Sequence, residues 1–294
     1  MSVVLAVVET GSLSAASRKL GMPLPTVSRK LSELEQHLKA RLLVRSTRRL
    51  ALTDSGRAYV EAARRILEDV GNAERAAAGE FSAPRGELVI AAPIVFGRLH
   101  VLPVVTEFLK EYPEVDVRLV LGDRIIDLLE DHVDVALRIG ELGDSRLVAS
   151  RVGSTRRVVC GSPVYFTEHG TPKQPRELGA HRCIAFEGAA AHEPWLFRVE
   201  GAAVAVPIRR RLVVNTAEAA LDAALAGVGL ARVLSYQADP AVRSGQLVTA
   251  LMRFAPAAVP VNLVHAAQRL APLKLRAFLD FAASRLRERL QGSR

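Results

Sequence analysis

The sequence predicts a mixed α/β fold in which a small all-α module and one long helix precede strands that alternate with helices. Three observations carry this. Residues Thr10 to Lys30, TGSLSAASRKLGMPLPTVSRK, place small, apolar and turn-forming residues where two helices joined by a tight corner need them. Tyr59, Ala63, Ile66, Val70, Ala73 and Ala77 recur at alternating steps of four and three. From Glu87 onward, β-rich runs alternate with stretches of helical spacing. With 294 residues, 49% of them hydrophobic, the chain has material for two or three compact units with sizeable cores.

In the first stretch, Ser12 or Ser14 can cap a short helix, Ala15 and Ala16 allow close approach, and Leu20 supplies an apolar contact. Gly21 ends that helix, because the position after a helix commonly takes a left-handed conformation that disfavours a side chain. Pro23 and Pro25 forbid its continuation yet are tolerated in the opening turn of a second helix, which is expected to run to about His37. Val27, Leu31, Leu34 and Leu38 form the apolar stripe of that helix. Ser14, Pro25, Thr26, Ser28, Arg29 and Lys30 then sit at or near the helix starts, off the stripe. Their side chains include hydroxyl and cationic groups that bond base edges and phosphates, so the pattern (about 13–33) reads as a DNA-binding helix-turn-helix. Paired helices joined through glycine also occur in enzymes. The next segment of the chain favours DNA.

Leu42 to Thr53 sets Arg45, Arg48 and Arg49 between two apolar stretches, as a β-wing lying along a phosphate backbone would. Thr53-Asp54-Ser55-Gly56 then offers a cap for a long helix, giving a winged helix-turn-helix over 1–54 and a linker helix over 55–79. The step pattern in that helix (Tyr59, Ala63, Ile66, Val70, Ala73, Ala77) is the coiled-coil period, which predicts pairing with another copy; an amphipathic helix docked on its own module is the alternative. Pairing would place two reading helices about 34 Å apart on a near-palindrome. Gly79 to Gly86, with Ser82 and Pro84, breaks the helix, and 80–86 is expected to be a hinge.

These residues resemble the LysR-type transcriptional regulators. The matching positions are Glu9, Thr10, Gly11, Ser12, Ser14, Ala15, Ala16, Leu20, Gly21, Val27, Ser28, Leu31, Leu34 and Glu35, followed by Leu42, Arg45, Arg48, Leu52, Thr53 and Gly56. Pro23 stands where that family usually has a capping Ser or Thr, Leu24 where Gln is frequent, and Leu43 where Phe is usual; the first two bear on base preference. The chain begins several residues later than the family norm, leaving Met1 to Thr10 as a short first helix.

Beyond the hinge, Leu88 to Ala92, Val115 to Leu121 and Val133 to Ile139 read as strands, with helical spacing over Leu102 to Tyr112 and Ile125 to Asp131. A second set has strands near Arg157 to Cys160, Cys183 to Phe186, Leu212 to Val214 and Gly229 to Val233, and a helix from Thr216 to Ala226. Val261 to His265 and a helix from Pro272 to Leu290 close the chain. The resemblance covers this region as well. It implies an effector-binding domain over 87–294, with two α/β subdomains like those of type 2 periplasmic binding proteins. One is expected over about 87–162 and 264–294, the other over about 163–263. The unidentified small-molecule effector would lie between them.

For that effector, the loop holding Pro93, Ile94, Val95 and Phe96 comes after the first strand and leads to a helix start, where free amides attract anions. Many relatives have Ser or Thr where Val95 stands. Arg138, beside Gly140, could grip a carboxylate through its planar fork, or be simply structural. Asn215 and Thr216 open a helix after a strand, and a cap is the competing role. Phe96, Trp195 and Phe197 are candidates for the cleft wall, although aromatic residues usually belong to cores.

Other chemistry finds little support. His169, His181 and His192 lack zinc-ligand spacing, so no metal or cofactor is expected. There is no GxSxG elbow, and Gly227-Val228-Gly229 lacks the rest of a dinucleotide fingerprint. Cys160 and Cys183 suggest a reducing compartment, and free cysteines in apolar strands are usually inert. Val3 to Val8 is too short for a signal or a span, and Arg285, Arg287, Arg289 and Arg294 read as the solvated face and end of the last helix. The net charge of +9 suits a polyanion, and basic residues crowd Arg18 to Arg65. The expectation is therefore a cytoplasmic, non-enzymatic regulator whose partners are double-stranded DNA, a second copy (as dimer or tetramer), a small-molecule effector and RNA polymerase, with no membrane. The competing readings are a solute-binding or catalytic α/β protein whose N-terminal helices serve oligomerisation, and an architectural DNA-binding protein.

Overall fold

The computed structural model describes residues 1–45, 50–77, 83–124, 126–143, 147–186, 194–267 and 271–291. It divides into two compact units, Met1–Ser82 and Ala83–Arg294.

The first unit opens with α1 (Ser2–Thr10), whose Val4, Leu5, Ala6 and Val7 are all buried. Ser12 caps α2 (Leu13–Leu20) by accepting the Ala15 amide at 3.1 Å, and Gly21 ends it at φ 63°. Pro23 opens α3 (Leu24–Leu38), with Pro25 in its first turn. Val27 and Leu31 are buried and Leu34 half-buried, whereas Leu38 is exposed, so the apolar stripe fades toward the helix end. Strands β1 (Leu43–Arg45) and β2 (Leu50–Leu52) pair antiparallel as the wing, and α4 (Asp54–Ala77) comes next. All of these except the outer half of α4 close on one core: Val4, Leu5, Val7, Ala16, Val27, Leu31, Leu42, Leu43, Val60 and Ala63.

The corner between wing and α4 is tight. Thr53 Oγ1 donates to the Arg41 carbonyl at 2.6 Å and accepts the Gly56 amide at 2.9 Å, while the Thr53 amide donates to the Leu42 carbonyl at 3.1 Å. A side chain at residue 56 would put its Cβ 2.0 Å from the Leu42 carbonyl oxygen, so only glycine lets the first turn of α4 lie on that backbone.

In the second unit, β3 (Gly86–Ala92) is followed by a continuous helical run made of α5 (Ile94–Phe96), a π-helical turn (Gly97–Val101) and α6 (Leu102–Glu111). Next come β4 (Val115–Leu121), β5 (Val135–Ile139), β6 (Leu147–Thr155) and β7 (Arg157–Gly161). The chain continues through α7 (Pro163–His169), β8 (Arg182–Phe186), β9 (Trp195–Val199), β10 (Ala202–Val206) and β11 (Arg209–Val214). It then forms α8 (Ala217–Leu225), β12 (Leu230–Leu234), α9 (Ser235–Arg243), β13 (Val248–Ala250), β14 (Val259–Ala266) and α10 (Leu273–Gln291). One five-stranded sheet has the order β4-β3-β5-β14-β6 and the other β11-β8-β12-β7-β13, so there are two subdomains, each with parallel strands at one side. Helices α6 and α10 pack Phe108, Phe278 and Phe281 onto the first sheet. Helices α8 and α9 cover one face of the second, and the β9-β10 hairpin belongs to the cluster on the other.

Three expectations need correction, and four strands were not anticipated. The subdomains exchange at Arg156 and between Ala250 and Val259, not at 162 and 264: β7 pairs with β12 and β13, and all of β14 pairs in the first sheet. The expected helix over 125–131 is a series of turns, apart from Ile125, which is outside the described residues. Asp127 Oδ1 accepts the amides of Leu129 and Glu130 at 2.8 and 3.1 Å, offering the backbone a non-helical alternative. Of the expected hinge, 80–82 lie outside the described residues, and Gly86 already pairs with Val115 in β3. Strands β6, β9, β10 and β13 have no counterpart in the sequence pattern. The β9-β10 hairpin turns through Glu200 and Gly201, both at positive φ, the signature of a two-residue turn matched to strand twist.

Gly56→Ala is expected to destabilise the first unit by about 1–3 kcal/mol or more, the cost of overpacking against backbone that cannot yield. Thermal unfolding monitored at the N-terminal unit checks this; an unchanged transition contradicts the close approach.

Candidate DNA-reading surface and effector cavity

Helix α3 buries Val27 and Leu31, and this leaves an opposite face made of Pro25, Ser28, Arg29, Ser32, Glu33 and Gln36, spaced at three and four residues. Thr26 and Lys30 flank it, and Ser14 is exposed at the start of α2. Arg29 is 71% exposed and its Nε lies 3.7 Å from a Glu33 carboxylate oxygen, a surface pair of little strength that a phosphate or base edge can replace. Leu24, 42% exposed, puts an apolar side chain in the opening turn. Of the candidate DNA contacts, Ser14, Pro25, Thr26, Ser28, Arg29 and Lys30 are thus at least partly open to solvent. Arg48, Arg49 and the side chain of Arg45 lie outside what the structure describes. Sequence spacing missed Ser32 and Gln36, although extending the i+3, i+4 series from Arg29 would have found them.

The wing is tied to the reading helix by Glu35, whose Oε1 accepts the amides of Leu42 and Leu43 at 2.8 and 3.1 Å. These amides lead into β1, so one carboxylate fixes the strand's start relative to α3.

The α4 stripe divides. Ala63 is buried and Tyr59 half-buried in the unit's own core, whereas Ile66 and Val70 are 45% and 46% exposed one turn apart. The docked-helix reading therefore describes Tyr59 and Ala63 and leaves Ile66 and Val70 uncovered. The side chains of Ala73 and Ala77 lie outside the described residues.

In the second unit, a cavity of 290 Å³ opens at the carboxyl ends of β3, β4 and β5. Pro93, Arg138 and Gly140 line it, with Asp123, Arg124 and Glu141. Arg138 donates to the Ile126 carbonyl at 2.7 Å and so pins the turn beside it. The Asp127 carboxyl is held below its usual range first by the amides of Glu130 and Leu129 and then by the charge of Arg138. The expected loop is shorter than anticipated, because Ile94 to Phe96 are already helical. Val95 and Phe96 point into the core rather than the cavity. The Ile94 amide is not free: it donates to Asp123 Oδ1 at 3.1 Å. Asn215 and Thr216 do not line this cavity. Asn215 is exposed, and Thr216 Oγ1 caps α8 by accepting the Ala219 amide at 3.2 Å. Trp195 and Phe197 are buried beneath the second sheet, since every other residue of β9 faces inward.

Between the subdomains, Phe96, His100 and Tyr236 form a ring cluster with centroids 4.7 to 5.6 Å apart. His100 is buried there with Nε2 unbonded among the described residues. Burial, and secondarily Arg289, lowers its pKa, so the ring is neutral at pH 7. Thr155 and Ser235 hydroxyls meet at 3.2 Å beside the crossover, and Arg98 pairs with Glu218 at 3.8 Å across the cleft.

A model of the bacterial regulatory helix-turn-helix protein, lysR family, matches residues 1–57, and the LysR substrate binding domain matches residues 82–287. The chain belongs to the LysR family of transcriptional regulators. An HTH-type transcriptional regulator of Xanthomonas campestris pv. campestris is 40% identical over 95% of this chain and 83% of its own length. The regulator CrgA of Neisseria meningitidis serogroup C is 34% identical over 99% of this chain and 98% of its own. The solved structure of CrgA, a LysR-type transcriptional regulator from Neisseria meningitidis, superposes with a TM-score of 0.63 at 32% identity, covering 97% of both chains.

This LysR-type chain is a DNA-binding regulator with an effector-binding domain, not an enzyme. Its two cysteines cannot bridge. Cys160 shares a sheet face with Ala231 and Ile184, while Cys183 shares the opposite face with Leu230, and burial pushes both thiols up to about 12. Among the described residues no group of three or more His, Cys, Asp and Glu side chains could hold a metal, and no helix is long and apolar enough to cross a membrane.

Glu35→Ala leaves two partly buried amides without their acceptor, so it should cost about 1–3 kcal/mol and weaken binding to all DNA by loosening the wing. Glu35→Gln, which keeps the oxygen, should retain most of both. Thermal melts and fluorescence anisotropy compare them, and equal behaviour of the two variants would remove Glu35 from this role.

Proposed function

We propose that the chain is a cytoplasmic, site-specific regulator that binds a near-palindrome as a dimer or dimer of dimers and answers to a small molecule held in its second unit. The observation that carries this is α3: one face is locked into the core by Val27 and Leu31, and the other offers Ser28, Arg29 and neighbours in the turns that recognition helices insert into the major groove. Arg29 suits a guanine edge, and Leu24 a thymine methyl. Arg45, Arg48 and Arg49 of the wing contact phosphates. The exposed Ile66 and Val70 of α4 pair with the same residues of a second copy. The effector occupies the cavity at Pro93, Arg138 and Gly140. Its binding favours one arrangement of the two subdomains, and by linkage alters the DNA complex and its contact with RNA polymerase.

Anisotropy on DNA from just upstream of the gene and on shuffled DNA, across a salt series, tests the reading directly. The upstream DNA should be preferred by about a hundredfold or more; equal binding would favour an architectural role. Arg29→Ala should reduce that preference by about tenfold, within the 1–3 kcal/mol of a base contact, and equal losses on both DNAs would remove it from base reading. Replacing Ile66 and Val70 together by Glu should shift the protein toward monomer in light scattering, and an unchanged mass would place the pairing surface elsewhere.

A further inference from the structure

The cavity at the ends of β3, β4 and β5 carries charges of both signs, and these are committed differently. Arg138 is turned onto the neighbouring turn, where it holds the Ile126 carbonyl at 2.7 Å and acts on the Asp127 carboxylate. Arg124 stands exposed at the rim, as do Asp123 and Glu141, but makes no bond to the helical run that begins at Ile94 among the described residues. On the side of the helical run that begins at Ile94, Asp123 places its carboxylate 3.1 Å from the Ile94 amide. That amide, at the positive end of the helical run, is where the electrostatics would hold a ligand anion, and the chain's own carboxylate is already there. Val95 comes next, apolar and buried, so it adds no hydroxyl donor. Glu141 contributes a second carboxylate to the lining. The field of Asp123 extends across the cleft: the Tyr236 hydroxyl is pushed up first by burial and then by the charges of Asp123 and Glu218.

A ligand carboxylate entering this end of the cavity would shed water, find the amide taken and meet a like charge at close range. A ligand ammonium would meet a carboxylate already positioned by its bond to Ile94, ready for a charge-assisted hydrogen bond. We infer that Asp123 determines the charge class of the effector: the cavity selects a small ligand that presents a cationic amine to Asp123 and Glu141, and excludes the corresponding carboxylate. This rests on the reading of the cavity as the effector site.

Benzylamine and benzoate, matched in size and opposite in charge, are the probes, titrated calorimetrically into the full-length protein. Wild type should bind benzylamine at least about tenfold more tightly than benzoate, a difference of about 1.4 kcal/mol. Asp123→Asn keeps an oxygen for the Ile94 amide and should abolish the preference, while Asp123→Ala empties the position and should raise benzoate affinity. Glu141→Gln, on a different segment of the lining, should weaken benzylamine binding by itself and serves as the independent variant if either Asp123 change unfolds the protein. Benzoate bound as well as benzylamine by wild type, a preference that survives Asp123→Asn, or no binding of either probe overturns the inference. Repeating the titrations while monitoring operator affinity separates the two readings. An intact amine preference with unmoved DNA affinity supports the charge selection and sinks the effector assignment. A carboxylate that moves DNA affinity does the reverse.

Discussion

The backbone of Leu42 is the point on which the DNA-reading unit depends. Its amide is held by Glu35 at the end of α3, its carbonyl accepts the Thr53 amide before α4, and its side chain is buried in the shared core. Three elements therefore converge on one residue. Because Gly56 lies against the same carbonyl, the wing, the reading helix and the linker helix cannot shift independently without losing hydrogen bonds or overlapping atoms. The interior of α3 is anchored by Val27 and Leu31, so the outward direction of Ser28 and Arg29 comes from packing rather than from any interaction of their own.

The second unit solves a different problem. Its two sheets exchange strands at two crossings, which leaves subdomains joined by few covalent paths but not separated by water. Tyr236 and Ala217 of the second subdomain are buried with the core of the first, and the Phe96–His100–Tyr236 rings fill the contact. A neutral His100 whose Nε2 has no partner among the described residues fits an interface assembled by apolar packing, in which a charged imidazolium would be costly. At each of two helical starts on the cleft side the chain itself holds one amide, that of Ile94 through Asp123 and that of Ala219 through Thr216.

The helix-turn-helix was legible because local chemistry is nearly sufficient for it. Ser12 caps, Gly21 adopts positive φ and Pro23 starts the next helix, all within the range of neighbouring residues. The parallel strands were legible for a similar reason, being short apolar runs between polar breaks. Strand β6 and the β9-β10 hairpin were not. β6 mixes small, polar and charged residues with little intrinsic pattern, while β9 and β10 are short apolar runs whose period is weak over five residues, and all three become strands through pairing with β14 or with each other. The 125–131 segment misled because its helical spacing is real, yet the Asp127 side chain captures the backbone amides first.

The sequence alone determined the family, the two-part organisation and the face of α3 that meets solvent, since these arise from periodicity, capping residues and a long ordered motif. Tertiary structure alone decided which candidates share a site. Val95 and Phe96 were drawn to the effector by their place after β3, yet helical geometry turns them into the core. Asp123, 29 residues after Ile94, lines the cavity only because parallel pairing of β3 with β4 brings the two strand ends together. Local propensity specifies direction along the chain. Contacts between residues far apart in sequence depend on sheet register, which no single segment encodes.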